Sequence, residues 1–465
     1  MYFKADAVLE EKFNKTGIKD GEKIAILSNN SEGYVKLLIH IFNAGAIAVP
    51  VNPMFPASKI SNILNRINCS KIIIDERSGA SDISGCKSIP LEYFMDDLNH
   101  IELKKVISSF DINNLDKNID KDSSIIFTSG STANPKAVLH TFGSHYFNAL
   151  GSNDNIEFKN EDCWLISLPL NHVSGFSTIF KALISKAGIA VKKPDLSLLE
   201  AIEKQKVTHL SLIPSQLYEL INSPSGAGIL KKMKAILIGG AAVSGGLVEE
   251  SIKLKLPVYK SYGSTEMASQ ITCTVKNDSP EHLIKTSGKL LRYREIKTGE
   301  DDEVLVKGLT LFKGYMEKDN SGNEILNMPF DEEGWFKTGD RGYIDGDGYL
   351  NIHGRKDLMF IYKGENIFPE EIESAIMKLE GIEDVLVVPV FKGTEIQDQI
   401  PVAFIRSKNY FQVDFELIRN SLQKKIEHFK IPVIFLKWPE SEINTSLKPD
   451  RERFKKIAEK EVNIH

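Results

Sequence analysis

Short apolar runs alternate with longer stretches of helical spacing along most of this chain. Residues 23–27 (KIAIL) have the length and composition of a strand, and residues 33–44 (GYVKLLIHIFNA) carry apolar side chains at helical spacing. Further strand-like runs, mostly followed by turn residues, lie at 46–51, 71–74, 125–128, 235–238 and 258–261. Alternation of strands and helices predicts parallel sheets that are covered by helices.

The pattern changes after Gly299. The segments EVLVKG, LFKGYM, GWFKTGDRGYID and GYLNIHG look like short antiparallel strands joined by glycine and aspartate turns. Further on, the pattern predicts helices at 369–379 and 414–427 and strands at 385–389 and 401–405. We therefore predict an α/β fold with a large N-terminal domain, residues 1–354, of helix-covered sheets plus a small β-rich subdomain. A small α+β C-terminal domain, residues 355–465, follows a boundary near 354–357.

Composition narrows the class of protein. The 465 residues are too many for one ordinary core, which agrees with more than one domain. The net charge of −5 gives no bulk attraction to nucleic acid or anionic membranes. The four cysteines form no CxxC pair, which argues against a disulfide framework or zinc site, and no apolar run resembles a signal peptide or membrane span. We expect a cytoplasmic enzyme without membrane insertion.

Residues 124–138 (SIIFTSGSTANPKAV) form the first candidate site. An apolar strand leads into hydroxyl side chains, one glycine and a lysine, which together offer N–H groups, O–H donors and a cation to phosphate oxygens. The segment is not a Walker A loop, because no G-K-[ST] follows at the required spacing. An ordinary Ser/Thr-rich surface turn is the alternative interpretation.

Two further clusters carry carboxylates. Residues 262–266 (YGSTE) end a strand, and Glu266 beside hydroxyls suits Mg²⁺ held against a nucleotide phosphate; a helix N-cap with an acidic first turn is the alternative. Asp340, in TGD, and Arg355, in HGRKD, have the groups that bind ribose hydroxyls and phosphate. A plain hairpin with a solvated charge pair is the alternative there. Lys448, in NTSLKPD, is unremarkable by itself.

The order of these segments resembles the adenylate-forming superfamily, which contains acyl-CoA synthetases, luciferases and peptide-synthetase adenylation domains. The likeness runs from residues 17–27 (GIKDGEKIAIL) through TSGST, PK, GGA, YGSTE, TGD and GRKD to Lys448. It implies an ATP-dependent acid–thiol ligase that forms an acyl-adenylate and then a thioester with coenzyme A. ATP, Mg²⁺, coenzyme A and a small carboxylic acid are the implied ligands, and a homodimer is compatible with the sequence.

The resemblance also implies roles, residue by residue. Lys448 would contact the carboxylate and the α-phosphate, Thr265 the α-phosphate, and Glu266 the metal ion. The nucleotide would further be bound by the phosphate loop, the adenine contacts and the ribose contacts, which are Thr128, Ser129, Gly130, Ser131, Thr132, Lys136, Gly239, Gly240, Ala241, Tyr262, Gly263, Asp340 and Arg355. Ala133 and Ala137 depart from the glycines that many members carry in the phosphate loop, and the segment before Gly17 is short for the superfamily.

The C-terminal domain is mobile in the superfamily. Asp357 matches its hinge, and Lys363, Gly364 and Glu365 match a turn that lines the pantetheine tunnel in the second half-reaction. A plain glycine turn before the following helix is the alternative for this segment.

The acid-binding region resembles one branch in particular. Residues 168–175 (LPLNHVSG) fit a strand, a turn and then a helix, and with TSGSTANPKAVLHTFGSH, LIGGAAV and YGSTEMASQ they resemble o-succinylbenzoate–CoA ligases of menaquinone biosynthesis. His172, Ser174 and Ser264 are the candidate substrate contacts; a core histidine satisfied by backbone is the alternative for His172. A general aryl or medium-chain acyl-CoA synthetase and a stand-alone amino-acid adenylation domain remain alternatives.

Overall fold

A computed structural model gives the architecture of the chain. It describes residues 7–78, 83–100, 102–109, 118–128, 135–240, 243, 245–363, 365–391, 399–407, 414–423, 425–442 and 449–462. The fold is mixed α/β, as the strand–helix alternation predicts. All four cysteines are free thiols. Within the described residues, no helix is long and apolar enough to span a bilayer.

The first part of the chain contributes six strands to an eight-stranded sheet. Its strands are β1 (Lys23–Leu27), β2 (Ile47–Val51), β3 (Lys71–Ile74), β4 (Lys87–Pro90), β5 (Asp122–Phe127) and β6 (Ala137–Thr141), and its helices are α1 (Ala7–Thr16), α2 (Glu32–Asn43), α3 (Ala57–Arg66), α4 (Glu92–His100), α5 (Leu103–Ser108) and α6 (Phe142–Ile156). β1 pairs in parallel with β2 and β3, whereas β5 and β6 form an antiparallel hairpin. β2 is buried throughout, as expected for a strand with helices on both faces.

The next part forms a seven-stranded sheet in the order β13-β12-β11-β10-β9-β7-β8. Its strands are β7 (Cys163–Ile166), β8 (Gly188–Val191), β9 (His209–Leu212), β10 (Ala235–Ile238), β11 (Val258–Ser264), β12 (Ser269–Cys273) and β13 (Lys289–Leu290), and its helices are α7 (Val173–Ser185), α8 (Leu198–Lys204), α9 (Pro214–Asn222), α10 (Gly226–Leu230), α11 (Gly245–Lys253) and α12 (Pro280–Lys285). One apolar cluster packs helices of the two sheets together; the rings of Phe42 and Phe176 lie 6.1 Å apart in it.

Residues from 294 on are β-rich, as the change of pattern predicts. The strands are β14 (Arg294–Thr298), β15 (Glu303–Gly308), β16 (Gly314–Lys318), β17 (Glu324–Asn327), β18 (Phe336–Ile344) and β19 (Leu350–Arg355). β14, β15, β18 and β19 form an antiparallel sheet, but β16 and β17 join the eight-stranded sheet, where β16 pairs with β6. This pairing lays Tyr315 beside the strand that follows the candidate phosphate loop.

The C-terminal part has hydrophobic clusters of its own. Its elements are β20 (Phe360–Tyr362), β21 (Glu365–Ile367), α13 (Pro369–Ile376), β22 (Ile382–Phe391), β23 (Gln399–Ser407), α14 (Phe415–Leu422), β24 (Ile434–Lys437) and α15 (Arg451–Val462). In the described chain, the two apolar clusters of this part contain only residues from Phe360 onward. The predicted helix at 414–427 was too long: α14 ends at Leu422, because the chain turns to pack Ile426 and Phe429 onto this core.

Candidate active site

Two glycines follow β10 at the carboxyl end of the parallel strands. Gly240 has a φ of +81°, in the region that favours glycine, and a Cβ on Gly239 would lie 3.2 Å from the carbonyl oxygen of Ser261. The carboxyl ends of parallel strands are where α/β folds bind nucleotides. The predicted adenine contacts Gly239 and Gly240 are therefore well placed, while Ala241 lies outside the described residues.

The residues at the two ends of the candidate phosphate loop, Thr128 and Lys136, are hydrogen-bonded to each other. The amide of Thr128 donates to the carbonyl oxygen of Lys136 over 3.0 Å, and the amide of Lys136 donates to Thr128 Oγ1 over 3.3 Å. Lys136 has an exposed side chain whose Nζ lies 4.7 Å from the centre of the Tyr315 ring. Ser129, Gly130, Ser131 and Thr132 lie outside the described residues, so their roles stay predictions.

The YGSTE segment comprises the last three residues of β11 and the first two residues of the turn that leads to the antiparallel strand β12. A Cβ on Gly263 would lie 1.8 Å from the carbonyl oxygen of Ser269, so a side chain at this position requires the backbone to move. A 3₁₀ turn, Thr265–Met267, closes the hairpin. The hydroxyl of Ser264 is buried and has no hydrogen-bond partner among the residues described. An unsatisfied buried hydroxyl is costly, which makes Ser264 a candidate ligand contact.

Glu266 is held by two contacts from the β16 region. Its carbonyl oxygen accepts a hydrogen bond from the amide of Phe312 over 2.7 Å, and its Oε1 accepts one from the hydroxyl of Tyr315 over 2.8 Å. Burial, reinforced by the Glu266 carboxylate, raises the pKa of Tyr315, so the phenol is a donor. The carboxylate keeps an oxygen for another ligand. A single carboxylate fits Mg²⁺, which is commonly bound by one or two carboxylates, waters and substrate phosphates.

Thr265 is fixed by a histidine that the sequence reasoning missed. Nε2 of His140, on β6, lies 2.7 Å from the Thr265 carbonyl oxygen. A carbonyl oxygen only accepts, so Nε2 must carry the proton. Burial lowers the pKa of His140 to about 4, and the imidazole is therefore neutral. The only signal in the sequence that could have identified His140 is its position four residues after Lys136.

Asp340 and Arg355 face each other across β18 and β19. Tyr262 donates its hydroxyl proton to Asp340 Oδ2 over 2.5 Å, and Arg355 Nη1 lies 3.4 Å from Oδ1 and 3.0 Å from the Thr338 carbonyl oxygen. Burial raises the pKa of Asp340, against the opposing effects of Arg355 and Tyr262. Arg355 also forms two hydrogen bonds with Asp357, over 2.9 and 3.0 Å. These contacts hold the Asp340 carboxylate and the Arg355 guanidinium side by side before any ligand binds.

Lys136 and the candidate ribose residues lie near one another. Burial would raise the pKa of Asp357, but Arg355, with a further contribution from the charge of Lys136, lowers it. Arg355 likewise opposes the rise in the pKa of Tyr315. These mutual effects require the charged groups to lie near one another, although the sequence separates Lys136 from Arg355 by more than 200 residues.

The predicted turn and helix at residues 168–175 are present, but the strand lies before this stretch, because β7 already ends at Ile166. After β7 and a turn, His172 occupies the N-cap of α7, and Ser174 lies in its first turn; both are half-buried. A Cβ on Gly175 would lie 2.3 Å from the Pro169 carbonyl oxygen, so the helix begins directly against the turn. The side chain of Asn30, which sequence reasoning missed, fixes that turn through Leu168 and Leu170 at 2.9 and 3.0 Å.

Two of the C-terminal candidates lie on the β20–β21 hairpin. Lys363 and Glu365 flank the turn between β20 and β21, and Lys363 has a φ of +53°. In the described part of the chain, neither side chain forms a hydrogen bond or ion pair with the candidate nucleotide-binding residues. Gly364 and Lys448 lie outside the described residues, and their roles stay predictions.

Comparison with known proteins agrees with this geometry. A model of the AMP-binding enzyme family matches residues 12–316, more than half of the chain, and the chain therefore belongs to that family. Among curated proteins, it is 32% identical over 407 residues to a 2-succinylbenzoate–CoA ligase of Oceanobacillus iheyensis, covering 85% of this chain and 81% of that protein. A 2-succinylbenzoate–CoA ligase of Bacillus pumilus is 29% identical over 462 residues, covering 96% of this chain and 90% of the relative.

Solved structures give the same result. An o-succinylbenzoate coenzyme A synthetase (MenE) from Bacillus subtilis, in complex with the acyl-adenylate intermediate OSB-AMP, superposes with a TM-score of 0.78 at 27% identity, covering 96% of this chain and 90% of that chain. The same enzyme in complex with ATP and magnesium ion has a TM-score of 0.76, with 96% and 91% covered. The resemblance inferred from the motif order is confirmed: the chain is an adenylate-forming enzyme.

Proposed function

We propose that this chain is a 2-succinylbenzoate–CoA ligase, which activates the succinyl carboxylate of 2-succinylbenzoate (o-succinylbenzoate) with ATP and transfers the acyl group to coenzyme A. The observation that carries the proposal is the near full-length similarity to ligases of this name, from curated proteins to a complex with the acyl-adenylate. The intact set of Lys136, Glu266, Asp340 and Arg355 supports it, because each has the chemistry that the reaction needs.

The first half-reaction joins the acid to AMP. A carboxylate oxygen of the substrate attacks the α-phosphorus of ATP, and pyrophosphate leaves. Positioning and charge neutralisation dominate such a step. Lys136 and the phosphate-loop hydroxyls, Ser129, Ser131 and Thr132, would bind the phosphates, and Thr265 and Lys448 the α-phosphate oxygens, where negative charge accumulates.

The remaining nucleotide contacts follow from the hydrogen-bonded cluster. Asp340 would accept from the ribose hydroxyls, and Arg355 would keep it ionised and reach the ribose or phosphate. Tyr262, Gly239, Gly240 and Ala241 would line the adenine. Glu266 would hold Mg²⁺, whose charge offsets that of the phosphates when it is bound. The preset Tyr262–Asp340 and Tyr315–Glu266 hydrogen bonds support these assignments.

The second half-reaction forms the thioester. The sulfur of coenzyme A attacks the acyl carbonyl, the bond to AMP breaks, and the thiol proton is released. We propose that residues 355–465 act as a mobile domain that turns about Asp357 between the two steps. The separate apolar clusters of this part support that division. Lys363, Gly364 and Glu365 would then line the pantetheine tunnel.

The acid would bind near the start of α7 and the YGSTE turn. His172 and Ser174 begin that helix, and Ser264 offers a buried hydroxyl without a partner in the described structure. These groups suit a substrate with a second carboxylate and a ketone.

We further propose a cytoplasmic location, which the free cysteines and the ATP and coenzyme A substrates support. Light scattering would test whether the enzyme is a homodimer.

A substrate panel tests the function. Pyrophosphate release and AMP formation would be measured with o-succinylbenzoate, benzoate, 4-phenylbutyrate and octanoate, with and without coenzyme A. We expect o-succinylbenzoate to have the highest kcat/KM, because a site that hydrogen-bonds a substrate's polar groups rejects analogues lacking them. His172→Ala should lower o-succinylbenzoate turnover more than ATP binding.

The alternatives give different results in the same panel. A higher kcat/KM for octanoate or benzoate would replace the proposal by a general acyl-CoA synthetase. Amino-acid-dependent pyrophosphate exchange that coenzyme A does not affect would indicate an adenylation domain instead.

A further inference from the structure

Tyr315 touches two charged groups of opposite sign. Its hydroxyl donates to Glu266 Oε1 over 2.8 Å, and the ammonium of Lys136 lies 4.7 Å from its ring centre. The proposed function assigns Lys136 to phosphate and Glu266 to the metal ion, but it gives Tyr315 no role. The position of Tyr315 between them therefore needs an explanation.

Strand pairing fixes where the tyrosine lies. β16 pairs antiparallel with β6, with Tyr315 opposite Val138, and Lys136 lies directly before β6, two residues from Val138. The side chain is 4% exposed, and the ring of Phe312 packs against it with centroids 4.8 Å apart. A ring so confined presents its hydroxyl and its face in fixed directions.

In the described structure, Lys136 and Glu266 contact the same tyrosine but form no ion pair with each other. A direct ion pair would neutralise the two groups and withdraw both from phosphate and metal. The hydroxyl also restricts a flexible glutamate side chain before any ligand arrives, which lowers the entropy cost of ordering it on binding.

We propose that Tyr315 is a positioning residue that holds Glu266 for the divalent metal of the ATP complex and keeps it apart from Lys136. The proposal rests on the proposed function, because it takes Glu266 as the metal-binding carboxylate. The tyrosine itself touches neither metal nor nucleotide in this role. Its hydroxyl acts on metal affinity through Glu266, and its ring acts on the phosphate contact through Lys136.

Two substitutions separate the hydroxyl from the ring. Tyr315→Phe removes only the hydrogen bond, and Tyr315→Leu removes the ring face as well. Tyr343→Phe is the matched control, because Tyr343 lies exposed on β18 with its ring against His353, and it has no described contact with Glu266 or Lys136. Mn²⁺ binding in the presence of α,β-methylene ATP would be measured by electron paramagnetic resonance, which needs no turnover, together with thermal unfolding.

Tyr315→Phe should raise the Mn²⁺ dissociation constant about tenfold, in the range expected for losing one hydrogen bond to a charged group. Excess Mg²⁺ should restore most of kcat, whereas a merely structural loss would not respond to the metal concentration. Tyr315→Leu should in addition weaken metal-free binding of the nucleotide. A Mn²⁺ dissociation constant for Tyr315→Phe within twofold of the wild type and of Tyr343→Phe would overturn the proposal.

Glu266→Gln separates a failure of the proposed Tyr315 role from a failure of the metal assignment. If it loses Mn²⁺ binding while Tyr315→Phe keeps it, only the role of Tyr315 is wrong. If Glu266→Gln binds Mn²⁺ as the wild type does, the metal assignment fails, and the role of Tyr315 fails with it. In the Glu266→Gln background, Tyr315→Phe should cause no further loss of Mn²⁺ binding; an additional loss of tenfold would overturn the proposal.

Discussion

The nucleotide side of the site and the C-terminal side are built differently. On the nucleotide side, candidate residues bind one another before any ligand is present: Tyr262 bonds to Asp340 and Tyr315 to Glu266. On the C-terminal side, Lys363 and Glu365 have no hydrogen bond or ion pair with those residues in the described chain. Groups that are already hydrogen-bonded to one another suit a ligand-binding site that is formed before binding. We propose that the C-terminal groups, in contrast, move between the two half-reactions.

Two half-buried carboxylates, Asp340 and Glu370, differ in the same way in their hydrogen-bond partners. Asp340 has a hydrogen bond from Tyr262 and an ion pair with Arg355. Glu370, in the first turn of α13, has a buried Oε2 without a partner among the described groups, and burial raises its pKa to about 7. A Cβ on Gly354 would lie 2.8 Å from that oxygen. One carboxylate oxygen of Glu370 is therefore buried without a described hydrogen-bond partner, whereas each oxygen of Asp340 has one.

The largest expected effect comes from the late lysine. Lys448→Ala should lower the rate of acyl-adenylate formation about 10²-fold, as loss of one transition-state donor does, because a cation is lost from the α-phosphate. Thioester formation from supplied acyl-adenylate should survive. Pyrophosphate release and thioester formation would be assayed separately, with Lys456→Ala, an exposed lysine on α15, as control. An equal loss in both steps would mean that the lysine serves the structure or that no domain movement occurs.

Asp340→Asn should weaken ATP binding about tenfold, because the ribose loses a charged acceptor and Arg355 loses a partner. Calorimetric titration with ATP and with 2′-deoxy-ATP measures this. The wild type should discriminate between the two nucleotides, and the variant should do so less. Asp347→Asn, in the exposed turn of the same hairpin, is the control. Unchanged discrimination in Asp340→Asn would remove the ribose assignment.

Glu370 should make stability depend on pH. Its folded pKa of about 7 exceeds the ordinary 4.5, so the folded state favours the protonated form. The contribution of Glu370 to the free energy of unfolding should then be most favourable below pH 4.5, fall between pH 4.5 and 7, and level off above. Glu370→Gln should be about 1–2 kcal/mol more stable than the wild type at pH 8 and equal to it near pH 4.5.

Urea unfolding at several pH values measures this difference. Glu452→Gln, an exposed glutamate in the first turn of α15, should give no pH-dependent gain. A difference between Glu370→Gln and the wild type that stays constant with pH would contradict the buried-charge explanation.

The smallest effect is expected at Tyr262. Tyr262→Phe keeps the ring against the adenine and removes one hydrogen bond to Asp340, so the dissociation constant for ATP should rise about threefold to fivefold. Titration with AMP separates this from phosphate contacts. A loss as large as that of Asp340→Asn would mean that the tyrosine, and not Arg355, is the main support of the carboxylate.

Sequence alone determined the local elements and their chemistry. β1, β3 and β10 have the predicted bounds, because each is a short apolar run ended by turn residues. The order of TSGST, YGSTE, TGD and GRKD was enough to identify the superfamily. Roles for residues 129–132 and for Lys448 remain predictions, since they lie outside the described chain.

Only the tertiary structure decided which distant residues meet. Periodicity predicted strands after Gly299, but it did not predict that β16 leaves its neighbours and pairs with β6. That pairing brings Tyr315 to Glu266, and the pairing of β18 with β19 sets Arg355 opposite Asp340. Local spacing predicts which face of its own strand a side chain lies on. The order and register of strands in a sheet depend instead on how whole elements are buried. Contacts between residues so distant in sequence are therefore seen only in the folded chain.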